Sequence, residues 1–352
     1  DNWKVELYHM KGWDRQSLKV EEMRSVVTNP IGSAPLRKLA RGKNEVVIIF
    51  DDMTRVTRVG EIVPLVLEEL AEAGIPEGKI RFVCALGCHG ALNRIDFIKK
   101  LGEPIVARFP VYNHNPFDQG TYVGTTKTYG TRVYINSEVM KCDLKIAIGL
   151  VAPHPAAGFG GGGKIILPGV ASFETAKHNH MAGMRDALSH QENPIIGMGI
   201  FDKNPMRLDC EEAAALAGLD VLINCVVNMW GETVALFAGD PQAAYAEAVR
   251  EAKNHYHTPP AKGETIVIAN TFTKANEAIA VGLSAAFKAV HPQGGDVVLI
   301  ANAPDGQITH YLLGAFGNAP AGEMSFQVRV PPHINRVCIF SEYTDVAGQN
   351  YI

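Results

Sequence analysis

A chain of 352 residues with 47% hydrophobic and 20% charged residues has the composition of an ordinary globular protein and is long enough for two domains. Its formal net charge of −4 excludes the basic surface with which proteins recruit nucleic acids or anionic lipids. The chain lacks a run of about 18 apolar residues and the segment order of a signal peptide, so we expect a cytoplasmic protein without a membrane or nucleic-acid partner.

Three short apolar segments predict buried parallel strands, and polar residues follow each of them at once. A helical pattern over 60–73 comes after the first segment, as in a unit of strand, loop and helix. Ligands of open α/β sheets bind beyond the carboxyl ends of the strands, so we expect the three polar loops to lie together. The segments and the residues that follow them are 45–50 with Asp51 and Asp52, 80–85 with His89, and 144–150 with His154.

The remaining pattern predicts two α/β domains with the active site in the cleft between them. Two adjacent prolines interrupt all periodicity and mark 257–263 as a linker. The N-terminal domain would be 1–256, and the smaller domain would be 264–352. Because the chain begins without methionine and ends without an obvious terminator, residues could be missing and the second domain could be incomplete. Further strands are predicted over 220–227, 232–237, 265–269, 297–301 and 336–340, and helices over 241–255 and 276–289.

Four consecutive glycines, 160–163, stand directly before Lys164. Ordering four glycines costs entropy, so such a loop indicates a close approach of backbone to a ligand or positive φ, with a flexible surface loop as the alternative. The spacing also fits a phosphate-binding loop, but Ile165 stands where a hydroxyl should hold magnesium, which disfavours an ATPase. We predict that Lys164 lies beside amides that cradle a phosphate, those of Gly161, Gly162 and Gly163.

Twelve histidines give a high background, and four of them stand out. His89 and His154 directly follow strands of the buried parallel type. His178 and His180 are two residues apart, so at helical spacing their rings lie on different faces and at most one can face a site. Four of the six cysteines are scattered singly, which is typical of reduced core thiols. The one close pair, Cys84 and Cys88, has no second pair downstream, which disfavours a structural zinc site.

The loop after the first strand, Asp51-Asp52-Met53-Thr54-Arg55, has two interpretations. In one, an aspartate caps the next helix and Arg55 pairs with it at the surface. In the other, the loop supplies a carboxylate, a hydroxyl and a guanidinium to one cleft, where Arg55 would suit a carboxylate or a phosphate.

These motifs together resemble the lactate racemase family in order and in spacing. The resemblance implies a nickel pincer nucleotide (nickel pyridinium-3,5-bisthiocarboxylic acid mononucleotide) made by separate cofactor-synthesis enzymes. It implies that Lys164 tethers the cofactor through a thioamide, that His180 is the nickel ligand, and that His89 and His154 are the acid-base pair. Contacts to the cofactor are implied for Asp52, Met53, Thr54 and Arg55. The resemblance also implies that domain 1–256 carries the cofactor and the catalytic histidines and that domain 264–352 closes over the substrate. The matching segments are 52–55, 87–89, 153–164, 165–169, 179–180, 204–205 and 237–240.

The implied reaction is racemisation or epimerisation of a small-molecule 2-hydroxy acid. Removing the C2 proton would place a carbanion beside a carboxylate, so hydride transfer through a 2-keto acid is easier. Imidazole, with a pKa of about 6.5, suits the exchange of a hydroxyl proton at neutral pH, and neutral imidazole is a good nickel ligand. The cofactor would accept and return the hydride, leaving the protein to orient the substrate and exclude water.

The second domain departs from the family pattern. Where lactate racemase has a tyrosine, a glutamine and a lysine that close on the substrate, this chain has Ala278, Ile279 and Gly282, and Gly90 replaces an arginine. We therefore expect a substrate bulkier than lactate, with Arg55 as the carboxylate anchor and the three second-domain residues around the side chain.

Three alternatives remain open at this point. The protein could be a lactate or malate racemase proper, or a non-catalytic nickel- or nucleotide-binding homologue that needs no pair of opposed bases. A nicotinamide-dependent dehydrogenase is disfavoured because no Gly-x-Gly-x-x-Gly opens a helix after an early strand.

Overall fold

The computed structural model describes residues 3–261, 263–271, 276–304, 306–307, 310–313 and 329–343, without the side chains of 278–280. The chain divides into a large unit, Arg15–Lys253, and a small unit formed by Asp1–Asp14 with Asn254–Ile352. The division lies three residues before the predicted domain end at 256. Residues 1–14, which sequence assigned to the first domain, group with the small unit, where Gly12 N–H donates to the His255 carbonyl at 2.9 Å.

The large unit is built on a six-stranded sheet in the order β10-β9-β6-β1-β2-β3, parallel except for the antiparallel pair β9 and β10. Every residue of β1, β6 and β9 is buried, as expected of parallel strands covered on both faces. The predicted α/β class is confirmed. The sheet strands are β1 (Val46–Asp51), β2 (Ile80–Ala85), β3 (Val111–Asn113), β6 (Leu144–Leu150), β9 (Val221–Val227) and β10 (Thr233–Gly239); two hairpins add β4 (Thr121–Thr125) with β5 (Arg132–Ile135), and β7 (Pro153–His154) with β8 (Gly158–Phe159).

Helices α7 and α8 matter most for the site, and both have standard N-terminal signals. Ser172 caps α7 by accepting from Thr175 N–H, and Asn204 caps α8 ahead of a proline at the first helical position. The helices are α1 (Val20–Thr28), α2 (Leu36–Leu39), α3 (Val59–Glu72), α4 (Arg94–Leu101), α5 (Glu103–Arg108), α6 (Ser137–Met140), α7 (Phe173–Ser189), α8 (Pro205–Ala217) and α9 (Pro241–His255).

The small unit contains a three-stranded parallel sheet in the order β11-β12-β13. Its core joins Leu283 and Phe287 of the helix to Val297 and Leu299 of the central strand. Among the described helices of the whole chain, none combines the length and apolar character needed to cross a membrane. The elements are β11 (Ile266–Asn270), α10 (Ala278–Ala289), β12 (Gly295–Ile300) and β13 (Ile334–Phe340).

A buried histidine should make the large unit sensitive to acid. Ring nitrogens of His114 lie 2.8 Å from the Ala171 carbonyl and 3.2 Å from the Asn136 amide, and burial lowers the pKa of His114 to about 4. Between pH 6.5 and 4 the unfolded chain binds this proton and the folded chain does not. The free energy of unfolding should therefore fall by about 1.4 kcal/mol per pH unit as pH decreases through this window. Denaturant unfolding of His114→Phe should show a pH slope smaller than that of wild type by about one proton. His190→Phe, at an exposed position, is the control, and equal slopes in the two variants would contradict the assignment.

Candidate active site at the carboxyl ends of the parallel strands

The loops after β1 and β2 meet as expected. Nδ1 of His89 lies 2.6 Å from Oδ2 of Asp52, although the two residues are 37 positions apart. Strands β1 and β2 are paired in register, from Val46 opposite Ile80 onward, so their carboxyl ends leave the sheet side by side. The loop after β6 begins at the same edge, because Leu150 N–H donates to Asp51 at 3.0 Å.

Asp52 is a buried carboxylate whose two oxygens have separate partners. Oδ1 accepts from Thr54 N–H at 2.8 Å, and Oδ2 faces His89. Burial by itself would raise the pKa of Asp52, but the charge and hydrogen bond of His89, together with Arg55 and Thr54, outweigh it and lower this pKa to about 2. Asp52 therefore holds the His89 ring in place, a role that the sequence did not suggest.

Lys100, at the end of α4, stabilises the loop that follows β1. Its buried ammonium lies 2.8 Å from Asp51 Oδ1 and donates to the carbonyls of Asp52 at 3.0 Å and Arg55 at 2.8 Å. Sequence reasoning missed it because Lys99-Lys100 in the last turn of a helix looks like an ordinary solvated pair.

The other predicted cofactor contacts of this loop follow Asp52 directly. Thr54 is buried, whereas Met53 and Arg55 are half-buried. Nη1 of Arg55 donates to Thr54 Oγ1 at 2.6 Å and to the Thr54 carbonyl at 3.1 Å. These two hydrogen bonds hold the guanidinium along its own loop.

His154 is half-buried in the β7–β8 hairpin that follows β6. Its Nδ1 accepts from the backbone N–H groups of Ala156 at 3.2 Å and Ala157 at 3.0 Å. The turn therefore fixes the orientation of the ring by its own backbone.

Two of the three glycine amides that we expected to bind a phosphate donate to side chains of the protein. Gly162 N–H donates to Asn224 Oδ1 at 2.9 Å, and Gly163 N–H donates to Glu211 at 2.9 and 3.1 Å. A Cβ at Gly162 would lie 2.6 Å from the Tyr245 ring, in a backbone with φ of +59°. Glycine is needed here because neighbouring elements pack against bare backbone, so two of the three amides assigned to a phosphate bond to protein side chains instead.

Arg207 of α8 stabilises the glycine loop through hydrogen bonds to its carbonyl groups. The buried guanidinium donates to three loop carbonyls, those of Ala157, Phe159 and Gly161, and to Glu211 at 3.0 Å. It also lies over the Tyr245 ring, with 4.8 Å from Cζ to the ring centroid. The loop that carries both His154 and Lys164 is thus built around one buried cation.

Lys164 and His180 are brought close enough to interact electrostatically. Lys164 is half-buried in a 3₁₀ turn, Gly162–Ile165. Nδ1 of His180 lies 2.8 Å from the Ala176 carbonyl of its own helix. Burial, the charge of Lys164 and the charge of His89 lower the pKa of His180 to about 3, so its ring is neutral throughout the physiological range.

His178 points away from His180, as the helical spacing predicted. It is exposed, with Nδ1 2.9 Å from Thr131 Oγ1, whereas His180 is half-buried. Only His180 of this pair shares the environment of Lys164 and His89.

Comparison with known proteins decides the family. Residues 1–192, more than half of the chain, match the family defined by the lactate racemase N-terminal domain. The chain belongs to the lactate racemase family. The resemblance seen in its motifs is confirmed.

Two curated lactate racemases are similar to this member of the family. The enzyme of Lactiplantibacillus plantarum is 31% identical over 290 residues, and that of Thermoanaerobacterium thermosaccharolyticum is 30% identical over 289 residues. Each match covers 81% of this chain and 66% of the relative, so the chain spans just under two thirds of their length.

Solved structures agree with the family assignment. The lactate racemase apoprotein from Thermoanaerobacterium thermosaccharolyticum matches with a TM-score of 0.71 and 28% identity, over 85% of this chain and 71% of that chain. A protein from Thermotoga maritima matches with a TM-score of 0.63 over 82% of this chain and 72% of its own; at 22% identity it shows a common fold.

The ring of His180 has the chemistry of a metal ligand. Within the described ranges of the chain, no group of three or more histidine, cysteine, aspartate or glutamate side chains could hold a metal ion. The hydrogen bond at Nδ1 of His180 leaves the ring lone pair on Nε2, and its low pKa means that protons do not compete for it. Burial raises the pKa of Cys88 to about 12 despite Lys164, so this thiol is not a ready thiolate ligand.

The residues predicted to contact substrate in the second domain are in the small unit. The side chains of Ala278 and Ile279 lie outside the described residues. Gly282 is buried, and a Cβ there would lie 2.8 Å from both Leu299 and Thr271. Its missing side chain would point into the unit's own packing, so Gly282 does not create the vacant pocket volume that we expected from sequence.

Proposed function

We propose that this protein is a racemase or epimerase of 2-hydroxy acids that uses a nickel pincer nucleotide. The observation that carries the proposal is the environment of His180. The charges of Lys164 and His89 both lower the pKa of its ring. This influence supports our proposal that the three residues form one site, in which they match the metal ligand, the cofactor tether and an acid-base residue of the family.

In this proposal the protein binds the substrate, orients it and exchanges its hydroxyl proton. Arg55 binds the substrate carboxylate, since a guanidinium forms two parallel hydrogen bonds with a carboxylate. His89, held by Asp52, takes the hydroxyl proton on Nε2, and His154 serves the other hydroxyl position. When bound at Lys164 and His180, the nucleotide would supply a reversible acceptor for the hydride of C2, and a 2-keto acid would form between the two enantiomers.

The substrate we propose is bulkier than lactate. Ala278 and Ile279 replace the larger or polar residues of the family, and each buried methylene of a substrate adds about 0.8 kcal/mol of binding. The packing around Gly282 weakens the volume argument, which now depends on the other two positions. Comparison of kcat/KM for lactate, 2-hydroxybutyrate, malate and phenyllactate separates this proposal from a lactate or malate racemase proper.

Covalent attachment at Lys164 is the direct test of the cofactor. Protein produced together with the cofactor-synthesis enzymes should carry added mass on the peptide that contains Lys164, with nickel in the same sample. Lys164→Arg keeps the charge but cannot form a thioamide, so it should lose the added mass. Lys177→Arg, on α7, should keep it. Wild-type protein that racemises 2-hydroxy acids without added mass on this peptide would contradict the tether, and nickel-containing protein without turnover would favour a non-catalytic homologue.

His180 and His178 form a matched pair for the metal ligand. His180→Ala should reduce retained nickel by at least about tenfold, because it removes the only protein donor assigned to the metal. His178→Ala, two residues away on the exposed face, should retain nickel at the wild-type level. Metal analysis after gel filtration measures both variants, and equal nickel loss from the two would show that His180 is not the ligand.

A further inference from the structure

The two histidines assigned to proton exchange have different hydrogen bonds at Nδ1. In His154 this atom lies 3.2 Å from the backbone nitrogen of Ala156 and 3.0 Å from that of Ala157, and both amides donate to it. An N–H group can donate only to a lone pair, so Nδ1 carries no proton. The neutral ring of His154 therefore holds its proton on Nε2.

His89 has the opposite arrangement. Its Nδ1 lies 2.6 Å from Oδ2 of Asp52, a carboxylate whose pKa is lowered to about 2 and which can only accept at neutral pH. Nδ1 of His89 therefore carries the proton. In the neutral ring the lone pair is on Nε2.

We infer that the catalytic histidines rest in opposite tautomers, His89 presenting a lone pair on Nε2 and His154 presenting an N–H. This inference rests on the proposed function and deepens it. His89 is then the base of the resting enzyme: the O–H bond of the substrate breaks, the electron pair stays on oxygen, and the proton moves to Nε2 to give an imidazolium paired with Asp52. His154 donates a hydrogen bond to a substrate oxygen.

The resting enzyme therefore has a base in position for the hydroxyl group of only one enantiomer. A hydroxyl that faces His89 finds a base at once. A hydroxyl that faces His154 finds an N–H, and proton uptake there requires the ring to move its proton to Nδ1 and break the bonds from Ala156 and Ala157. Leaving the amide of buried Ala157 and that of half-buried Ala156 without an acceptor is unfavourable, so this rearrangement adds a barrier.

Histidine tautomers can be measured directly in this protein. We would label histidine with ¹⁵N and record multiple-bond ¹⁵N–¹H spectra at pH 8.5, assigning the signals with His89→Gln and His154→Gln. The expected spectra show a protonated Nδ1 for His89 and a protonated Nε2 for His154. Asp52→Asn should change the His89 signals and leave those of His154 unchanged. The same tautomer in both rings, or a protonated Nδ1 in His154, would overturn the inference.

Kinetics of the cofactor-loaded enzyme give an independent readout. In rapid-quench single turnovers, keto acid should form at least about tenfold faster from one enantiomer than from the other, although the steady-state kcat/KM values must balance because racemisation has an equilibrium constant of one. Equal single-turnover rates would overturn the inference and leave the racemase assignment intact. If neither enantiomer reacts, the proposed function fails, and the spectra still decide the tautomers.

Discussion

Asp52→Asn is expected to lower kcat for racemisation by about 10²- to 10⁴-fold, with little change in KM. The asparagine amide can donate to Nδ1 of His89 where the carboxylate accepts, so the ring would turn to the tautomer with its proton on Nε2. His89 would then lack a lone pair for the hydroxyl proton. Steady-state kinetics of cofactor-loaded protein in both directions measure the effect.

Two further measurements separate this role from a contact to the cofactor. Asp202→Asn, on the exposed surface, should keep wild-type kcat. Nickel content of Asp52→Asn should also stay at the wild-type level, because Asp52 bonds to His89 and Thr54 and not to the residues assigned to the metal. A variant with kcat within about threefold of wild type, or one that loses nickel in parallel with activity, would refute the orienting role.

Arg207→Met should lower the free energy of unfolding of the large unit by about 3–5 kcal/mol, because removing one partner of a buried ion pair leaves the other without compensation. Burial already raises the pKa of Glu211 against the attraction of Arg207, so this carboxylate depends on its partner. Three carbonyls of the glycine loop would also lose their donor. Denaturant unfolding followed by the fluorescence of the large unit measures the loss.

Matched variants make the Arg207 result specific. Arg250→Met removes an exposed ion pair with Glu247 and should change stability by no more than about 1 kcal/mol. Arg207→Met with Glu211→Gln should recover part of the loss, since the second change removes the uncompensated charge. If Arg207→Met destabilises the protein no more than Arg250→Met does, the guanidinium of Arg207 does not stabilise the glycine loop as we expect.

The strand and helix pattern was predictable because it depends on local periodicity. The apolar run that became β1 was read over 45–50 and lies at Val46–Asp51, and the helix read over 241–255 has those bounds. Polar residues directly after such strands must leave at the carboxyl edge of a parallel sheet, which is why Asp52 and His89 were expected to meet.

The partners within the site were not predictable in the same way. Lys100, Arg207, Glu211 and Asn224 read as ordinary helix or strand residues, and nothing in their spacing marks them. Their roles come from contacts across 45 to 62 positions of chain, such as Lys100 to the Arg55 carbonyl and Asn224 to Gly162 N–H. The glycines at 160–163 were ambiguous for the same reason. Their sequence is compatible both with a phosphate-binding loop and with a loop whose backbone packs against neighbouring elements.

For this protein the sequence alone determined the fold class, the family motifs and the two loops that meet at His89, because strand periodicity and chain order decide these. Only the tertiary structure decided what each polar atom bonds to. Buried donors and acceptors must be satisfied by whichever groups the packing brings near, and that pairing depends on distances between elements rather than on spacing along the chain. Because of this pairing, the amides of Gly162 and Gly163 donate to Asn224 and Glu211. The same pairing places an acceptor at Nδ1 of His89 and donors at Nδ1 of His154, so the two rings have opposite tautomers.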